Sequence, residues 1–257
     1  MRLVGVCHLP PLPGSPRAAR GAMRAAIERA RSDARALERA GFDAIVVENF
    51  GDAPFFKDDV PRETVAAMTA CALAARDAAP KLALGVNVLR NDARAALAVA
   101  AATDASFVRV NVLSGARLTD QGIVEGRAAD VMRLRAVIAK DVLVFADVDV
   151  KHSAPLAVRP IEEEVDELVS RANADAVLVT GVATGAPPDE QDLLRVRRAT
   201  RAKVYVASGA TEETVGALLA TCDGVLVGTS IKRARRAGGP VDFALAKRFA
   251  RAAEKRR

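Results

Sequence analysis

"KVYVASGATEETVGALLATCDGVLVGT" (203–229) reads as one complete strand–helix–strand unit. Its two apolar runs, within 203–209 and 223–229, are continuous rather than alternating, as parallel strands covered on both faces require. Each run leaves through a small polar turn, "ASGAT" (207–211) and "VGTSIK" (227–232). A helix over 211–221 joins them, with Thr211 expected as its N-cap. Thr229 and Ser230 are expected to open a second, short helix. Paired Gly and Ser/Thr loops at neighbouring strand ends aim backbone N–H groups at an anion, so Ser208, Gly209, Gly228 and Thr229 are candidates to hold a phosphate or other oxyanion.

The same unit recurs from end to end. Strands are expected at "LVGVCHL" (3–9), "DAIVVEN" (43–49), "LALGVNV" (82–88), "SFVRVNV" (106–112), "VLVFADV" (142–148) and "DAVLVTG" (175–181). Helical patterns fill 17–40, 61–79, 91–103, 126–139, 161–172 and 189–200, and a last one covers about 241–255. Acidic or polar turns such as "AGFDA" and "RANADA" carry helices into strands. Eight βα units without a shift in composition predict one (β/α)8 TIM barrel over residues 1–257. A doubly wound open sheet is the alternative, but no strand–GxGxxG–helix unit opens the chain. "TGVATGAPP" (180–188) lacks the Lys-Ser/Thr ending of a P-loop. No NAD or FAD fingerprint is present, and the sequence requires no cofactor.

Composition narrows the function classes. Of 257 residues 51% are apolar, with no Trp and one Tyr, so Ala, Val and Leu must build the core. The net charge of +6 comes mostly from arginines interleaved with acids in stretches such as "RGAMRAAIERARSDARALERAG" (20–41), which read as wet helix faces. With few aromatics to stack on bases, nucleic acid is not an expected partner. Cys7, Cys71 and Cys222 are far apart and in no metal-binding spacing, pointing to a reducing compartment. Neither a signal peptide nor a membrane span is evident, so a cytoplasmic protein without membrane insertion is expected.

Chemistry-bearing residues collect at the strands' C-terminal ends, the rim where barrel active sites form. In order they are His8, Glu48 with Asn49, Asn87 with Arg90, Arg109 with Asn111, Asp147, Asp149, Lys151 and His152, then Thr180 and the two Gly/Ser/Thr loops. Residues two apart on a strand share a face. An inward Glu48 therefore brings Val46 and Ala44 with it, and an inward Asp147 brings Phe145 and extends toward Asp149. Cys7 and His8 compete for the interior. Glu48, Asp147 and Asp149 could hold a divalent cation, or at least one could serve as general acid or base. Lys151 and His152 offer further proton carriers, Lys151 also a possible amine nucleophile. Asn87, Arg109, Asn111 and Thr180 are candidates to orient a substrate, although Arg109 could instead pair with a carboxylate. Phe50, Phe55 and Phe56 cluster in the loop after the second strand, as loop packing, a ligand lid or a subunit contact. Self-association into a homo-oligomer is expected.

"HLPPLPGSP" (8–16), "VENFGDAPF" (47–55), "NVLRND" (87–92), "GIVEGRA" (122–128), "ADVDVKHS" (146–153), "TGAPP" (184–188) and "VGTSIK" (227–232) together resemble the BtpA/SgcQ family over essentially the whole chain. The resemblance implies a phosphate-binding barrel of the ribulose-phosphate-binding type. One branch of the family is associated with photosystem I accumulation, another with genes of sugar uptake and metabolism. Some members carry labels relating them to phosphoribosylanthranilate isomerase, which uses a cysteine after strand one and an aspartate ending strand five. Cys7 and Asp147 sit near those places. The family's first strand usually has an aliphatic residue where Cys7 stands, so His8 is expected in the site and Cys7 in the core.

Two functions from different classes follow. The first is an isomerase-, epimerase- or lyase-type enzyme acting on a small phosphorylated sugar-like metabolite. Its site residues would be His8, Glu48, Asp147, Asp149, Lys151 and His152. The second is a non-catalytic assembly or stability factor of the photosystem I biogenesis type. The proline-rich stretch after His8 is expected to stiffen the first wall of the rim.

Overall fold

A computed structural model describes residues 1–150, 152–181 and 188–254. Lys151, most of the "TGVATGAPP" loop and the basic C-terminal end lie outside the described residues. Strands and helices alternate as β1 (Leu3–His8), α1 (Ala22–Ala40), β2 (Ala44–Glu48), α2 (Arg62–Ala78), β3 (Ala83–Asn87), α3 (Ala93–Ala102) and β4 (Phe107–Val110). A hairpin of β5 (Ala116–Thr119) and β6 (Gly122–Glu125) precedes α4 (Ala128–Ile138). Then come β7 (Leu143–Val148), β8 (Ala154–Pro155), α5 (Ile161–Asp166), β9 (Ala176–Val179), α6 (Glu190–Ala199), β10 (Lys203–Val206), α7 (Val215–Thr221), β11 (Gly224–Val227) and α8 (Phe243–Glu254).

Eight parallel strands close in the order β1-β11-β10-β9-β7-β4-β3-β2, with β2 returning to β1. The expected (β/α)8 barrel is the architecture. The acidic turns have a shared task at the closed end. Asp43 accepts from the backbone N–H of Leu3, Asp175 from that of Val144, and Asp223 from that of Val204. Each carboxylate thus pins the start of the neighbouring strand.

Alternation along the strands separates two cores. Outward residues such as Cys7, Ile45, Val47, Val86 and Val144 pack under the alanine-rich faces of the helices. Inward residues fill the barrel axis: Val4, Val6, Ala44, Val46, Leu178 and Leu226 surround the rings of Phe107, Phe145 and Tyr205. Phe107 and Phe145 stack with centroids 4.8 Å apart, and Tyr205 leans on Phe145 at 5.0 Å. Glycine makes room for them: a Cβ on Gly85 would meet Phe107 at 2.2 Å, and one on Gly224 would meet Tyr205 at 2.6 Å.

The structure corrects the expected segments in three places. The helix expected from Thr211 begins at Val215, because Thr211 and Thr214 first make a turn in which the Thr214 N–H donates to Thr211 Oγ1. The helix over 161–172 passes after Asp166 into a wider π turn, Glu167–Arg171. Between the fourth and fifth barrel strands the chain inserts the β5–β6 hairpin, to which β8 adds as a third antiparallel strand. These strands are too short for their alternation to stand out. Among the described residues, no helix is long and apolar enough to cross a membrane.

The wet-face reading of helix α1 has one exception. Asp33 is buried, and its Oδ2 lies 3.9 Å from the ammonium of Lys232, itself fully buried. Lys232 Nζ donates to Val6 O at 2.8 Å. The β1–β11 pairing ends at Gly5 and Val227, so the lysine supplies a donor where the partner strand has stopped. Burial pushes the Asp33 carboxyl up, with Lys232 opposing, and pushes the Lys232 ammonium down, with Asp33 opposing.

Gly85→Ala is expected to destabilise the protein by about 1–3 kcal/mol through overpacking against Phe107. Urea denaturation followed by circular dichroism measures it.

Candidate active site

The inward rows end in polar side chains. His8 continues the row of Val4 and Val6, Glu48 that of Ala44 and Val46, Arg109 that of Phe107, and Asp147 that of Phe145. Above the aromatic plug opens a cavity of about 700 Å³. His8, Glu48, Arg109, Asn111 and His152 line one part of its wall, and Ser208, Gly209, Gly228 and Thr229 another.

His8 is held from three sides. Its ring stacks on Phe50, with centroids 4.2 Å apart and 18° between planes. Its Nδ1 accepts from the Gly238 N–H at 3.1 Å, and Nε2 lies 3.7 Å from Glu48 Oε1. The other oxygen of Glu48 accepts from Asn87 Nδ2 at 2.8 Å. Asn87 thus touches Glu48 rather than the cavity. The loop of the eighth barrel strand passes directly beside the imidazole, since a Cβ on Gly228 would stand 3.3 Å from His8 Cε1. Cys7 points the other way, into the outer core, where burial pushes its thiol well above the usual range. A buried, protonated thiol is a poor nucleophile.

Asp147 has a different environment from Glu48. Both its oxygens accept from Arg109, at 3.0 and 2.8 Å, and Asn111 Nδ2 donates to Oδ2 at 2.8 Å. Burial works against the Arg109 cation, but the Asp147 carboxylate beside it raises the guanidinium pKa overall. Arg109 and Asn111 face the large cavity, while Asp147 lines a smaller one of about 270 Å³ under the β5–β6 hairpin. Asp149 belongs to that side too. It adopts φ +52° and pairs with Arg117. Thr180 donates to Asp149 O at 2.8 Å, so it braces this loop.

The proposed cation set is therefore not assembled. Glu48 faces the large cavity, Asp147 is engaged by Arg109 and Asn111, and Asp149 is engaged by Arg117. Among the described residues no group of three or more His, Cys, Asp or Glu side chains is placed to hold a metal.

Around the two Gly/Ser/Thr loops the hydroxyls tie the chain together. Ser208 Oγ accepts from the Gly181 N–H at 2.6 Å, and Ser230 donates to Ala210 O at 2.6 Å. Gly209 adopts φ +69°, a conformation that favours glycine. A 3₁₀ turn, Thr229–Ile231, opens after Gly228, and the first N–H groups of such a turn have no partner within it. Three further charged residues line the same cavity, Arg17, Arg235 and Asp120, and none stands out in the sequence. Arg17 and Arg235 come from loops, where no periodicity marks a side chain as inward. Arg90 was visible at a strand end but had no assigned task; it lines the cavity, and burial lowers its pKa against the pull of Asp147, Asp120 and Glu48. Phe50 and Phe55 also line the cavity, whereas Phe56 is exposed.

Fold and site together define a (β/α)8 barrel with its polar residues gathered at one rim. Across 99% of this chain and all of the other, the structure matches N-(5'-phosphoribosyl)anthranilate isomerase from Pyrococcus furiosus with a TM-score of 0.60 at 18% identity. The chain belongs to the BtpA family, whose profile matches residues 1–255. It is 44% identical over 234 residues to the photosystem I biogenesis protein BtpA of Synechocystis, covering 90% of this chain and 80% of that one. An uncharacterized protein of Archaeoglobus fulgidus is also 44% identical, over 253 residues and 98% of each chain.

Replacing one partner of the Arg109–Asp147 pair strands a buried charge. Arg109→Leu is expected to cost about 3–5 kcal/mol, and adding Asp147→Leu to recover much of that loss. Urea denaturation of the single and double variants checks both.

Proposed function

We propose that this protein is an enzyme of isomerase, epimerase or lyase type acting on a small phosphorylated sugar-like metabolite. One observation carries the reading. The Gly209 and Gly228–Ser230 loops, Arg17 and Arg235 line the same cavity as His8 and Glu48. An anion held by loop amides and guanidinium groups would anchor a ligand whose carbon skeleton reaches the carboxylate–imidazole pair. Arg90, Asn111 and His152 then face its far end. Asp147 supports this wall by fixing Arg109 and Asn111, a positioning task rather than contact with substrate.

A second reading draws on the Synechocystis relative, named for photosystem I biogenesis. A non-catalytic assembly role would place the requirement on the surface, for example at exposed Phe56, and would be indifferent to changes inside the rim.

Inorganic phosphate and phosphorylated sugars are expected to raise the melting temperature of the purified protein, because they bind the folded state alone. Gly209→Val, which strains a left-handed position and fills the anion loop, should abolish the rise while the protein stays folded by circular dichroism. A flat melting temperature across phosphate and sugar phosphates would instead favour the assembly role.

A further inference from the structure

The contacts of His8 fix more than its position. A backbone N–H can only donate, so the Gly238 N–H makes His8 Nδ1 an acceptor. In the neutral imidazole the single ring proton is then on Nε2, the nitrogen beside Glu48. Phe50 stacks on the ring, and a Cβ on Gly228 would stand 3.3 Å from Cε1, so the imidazole has close neighbours at a face and at its Cε1 edge. Glu48 is fixed with equal care, since Asn87 holds Oε2 and leaves Oε1 on the His8 side. The two groups stand 3.7 Å apart, beyond hydrogen-bond length.

We infer that Glu48 and His8 form a base–electrophile pair for proton transfer beside a carbonyl, and that the substrate class is a phosphorylated α-hydroxy aldehyde or ketone. The inference rests on the phosphate-anchored reading above. Glu48 carboxylate removes the C–H proton from the carbon next to the carbonyl. The C–H electron pair becomes the new C=C bond, and the carbonyl π pair moves onto oxygen, where His8 Nε2–H donates to it. Glu48, now the acid, returns its proton to the former carbonyl carbon, while the hydroxyl proton passes from one oxygen to the other. The sum is a 1,2-hydrogen shift that needs no oxidant, reductant or cofactor; return to the original carbon from the opposite face would be epimerisation. A neutral imidazole suits the electrophile's task, because it donates to the developing oxyanion and remains an imidazole afterwards. Arg109 and Asp147, already neutralised by each other, bring no net charge against the enediolate.

The test uses the full chain in D₂O with dihydroxyacetone phosphate, ribulose 5-phosphate and fructose 6-phosphate as probes. Proton NMR reads deuterium entry at the carbon beside the carbonyl. Exchange is expected in at least one probe. It should fall about 100-fold or more in Glu48→Gln, the range that general-base catalysis commonly contributes. Glu48→Asp, which keeps the charge but shortens its reach, should fall less. Both variants should keep the phosphate-induced rise in melting temperature. Nitrogen-15 NMR of the intact protein, with His8 assigned by comparison with His152→Gln, should show the Nε2–H tautomer. An Nδ1–H tautomer, exchange unchanged in Glu48→Gln, or no exchange in any probe while phosphate still raises the melting temperature would overturn the inference. Failure of phosphate to raise the melting temperature would instead strike the anchored-ligand reading beneath it.

Discussion

Side-chain alternation along eight parallel strands is the constraint on which this molecule depends. Every second residue must face either the axis or the helices, and neither space tolerates the other's occupant. The aromatic plug of Phe107, Phe145 and Tyr205 fixes which row is inward, with Gly85 and Gly224 left bare to admit the rings. Two residues further along the same rows, the chain reaches the rim, so His8, Glu48, Arg109 and Asp147 inherit their orientation from the core below them. These four side chains are held on or directly beside strand ends whose register the pairing fixes.

That inheritance explains what could be read from sequence. Apolar runs and intervening alanine-rich helices made the barrel legible; parity put His8 and Cys7 on opposite faces, and the family resemblance pointed to His8 as the inward one. Parity says which way a side chain points, but not whom it meets. Asp147 and Arg109 both point inward, yet they lie on neighbouring strands and spend their charge on each other. Asp149 lay on the expected row but turns through φ +52° and leaves it. Arg17 and Arg235 arrive from loops that carry no period. The short β5–β6 hairpin is hidden for the same reason: four residues of alternation resemble any polar loop.

The Asp33–Lys232 pair was the least visible, since each residue reads as ordinary surface in its own segment. Only closure of the barrel brings the last strand's loop against the first helix. Removing an ammonium from water is costly, and Asp33 with the Val6 carbonyl offsets part of that cost. Its place makes structural sense. It supports β1 two residues before His8, at the point where the ladder to β11 has run out. The proline-rich segment continues from the same strand end, and the Gly51 main-chain N–H binds Leu9 O there. A Cβ on Gly51 would meet Pro11 N at 2.4 Å, so the two loops are in direct backbone contact.

The antiparallel sheet on the opposite side of the rim imposes a different discipline. Leu118 pairs with Ile123 and Ala154, while Arg117 pairs with Val124 and Pro155. Leu118 and Ile123 look outward, Val124 joins Val112 and Val150 beneath, and Arg117 reaches down to Asp149. Gain or loss of a single residue in β5 would exchange the faces, lifting Arg117 into solvent and driving Leu118 toward a carboxylate. Length variation in this loop is therefore tolerated at the Asp120–Gly122 turn but not within the strand, so homologous loops of different size should differ at the tip and keep their stems in phase.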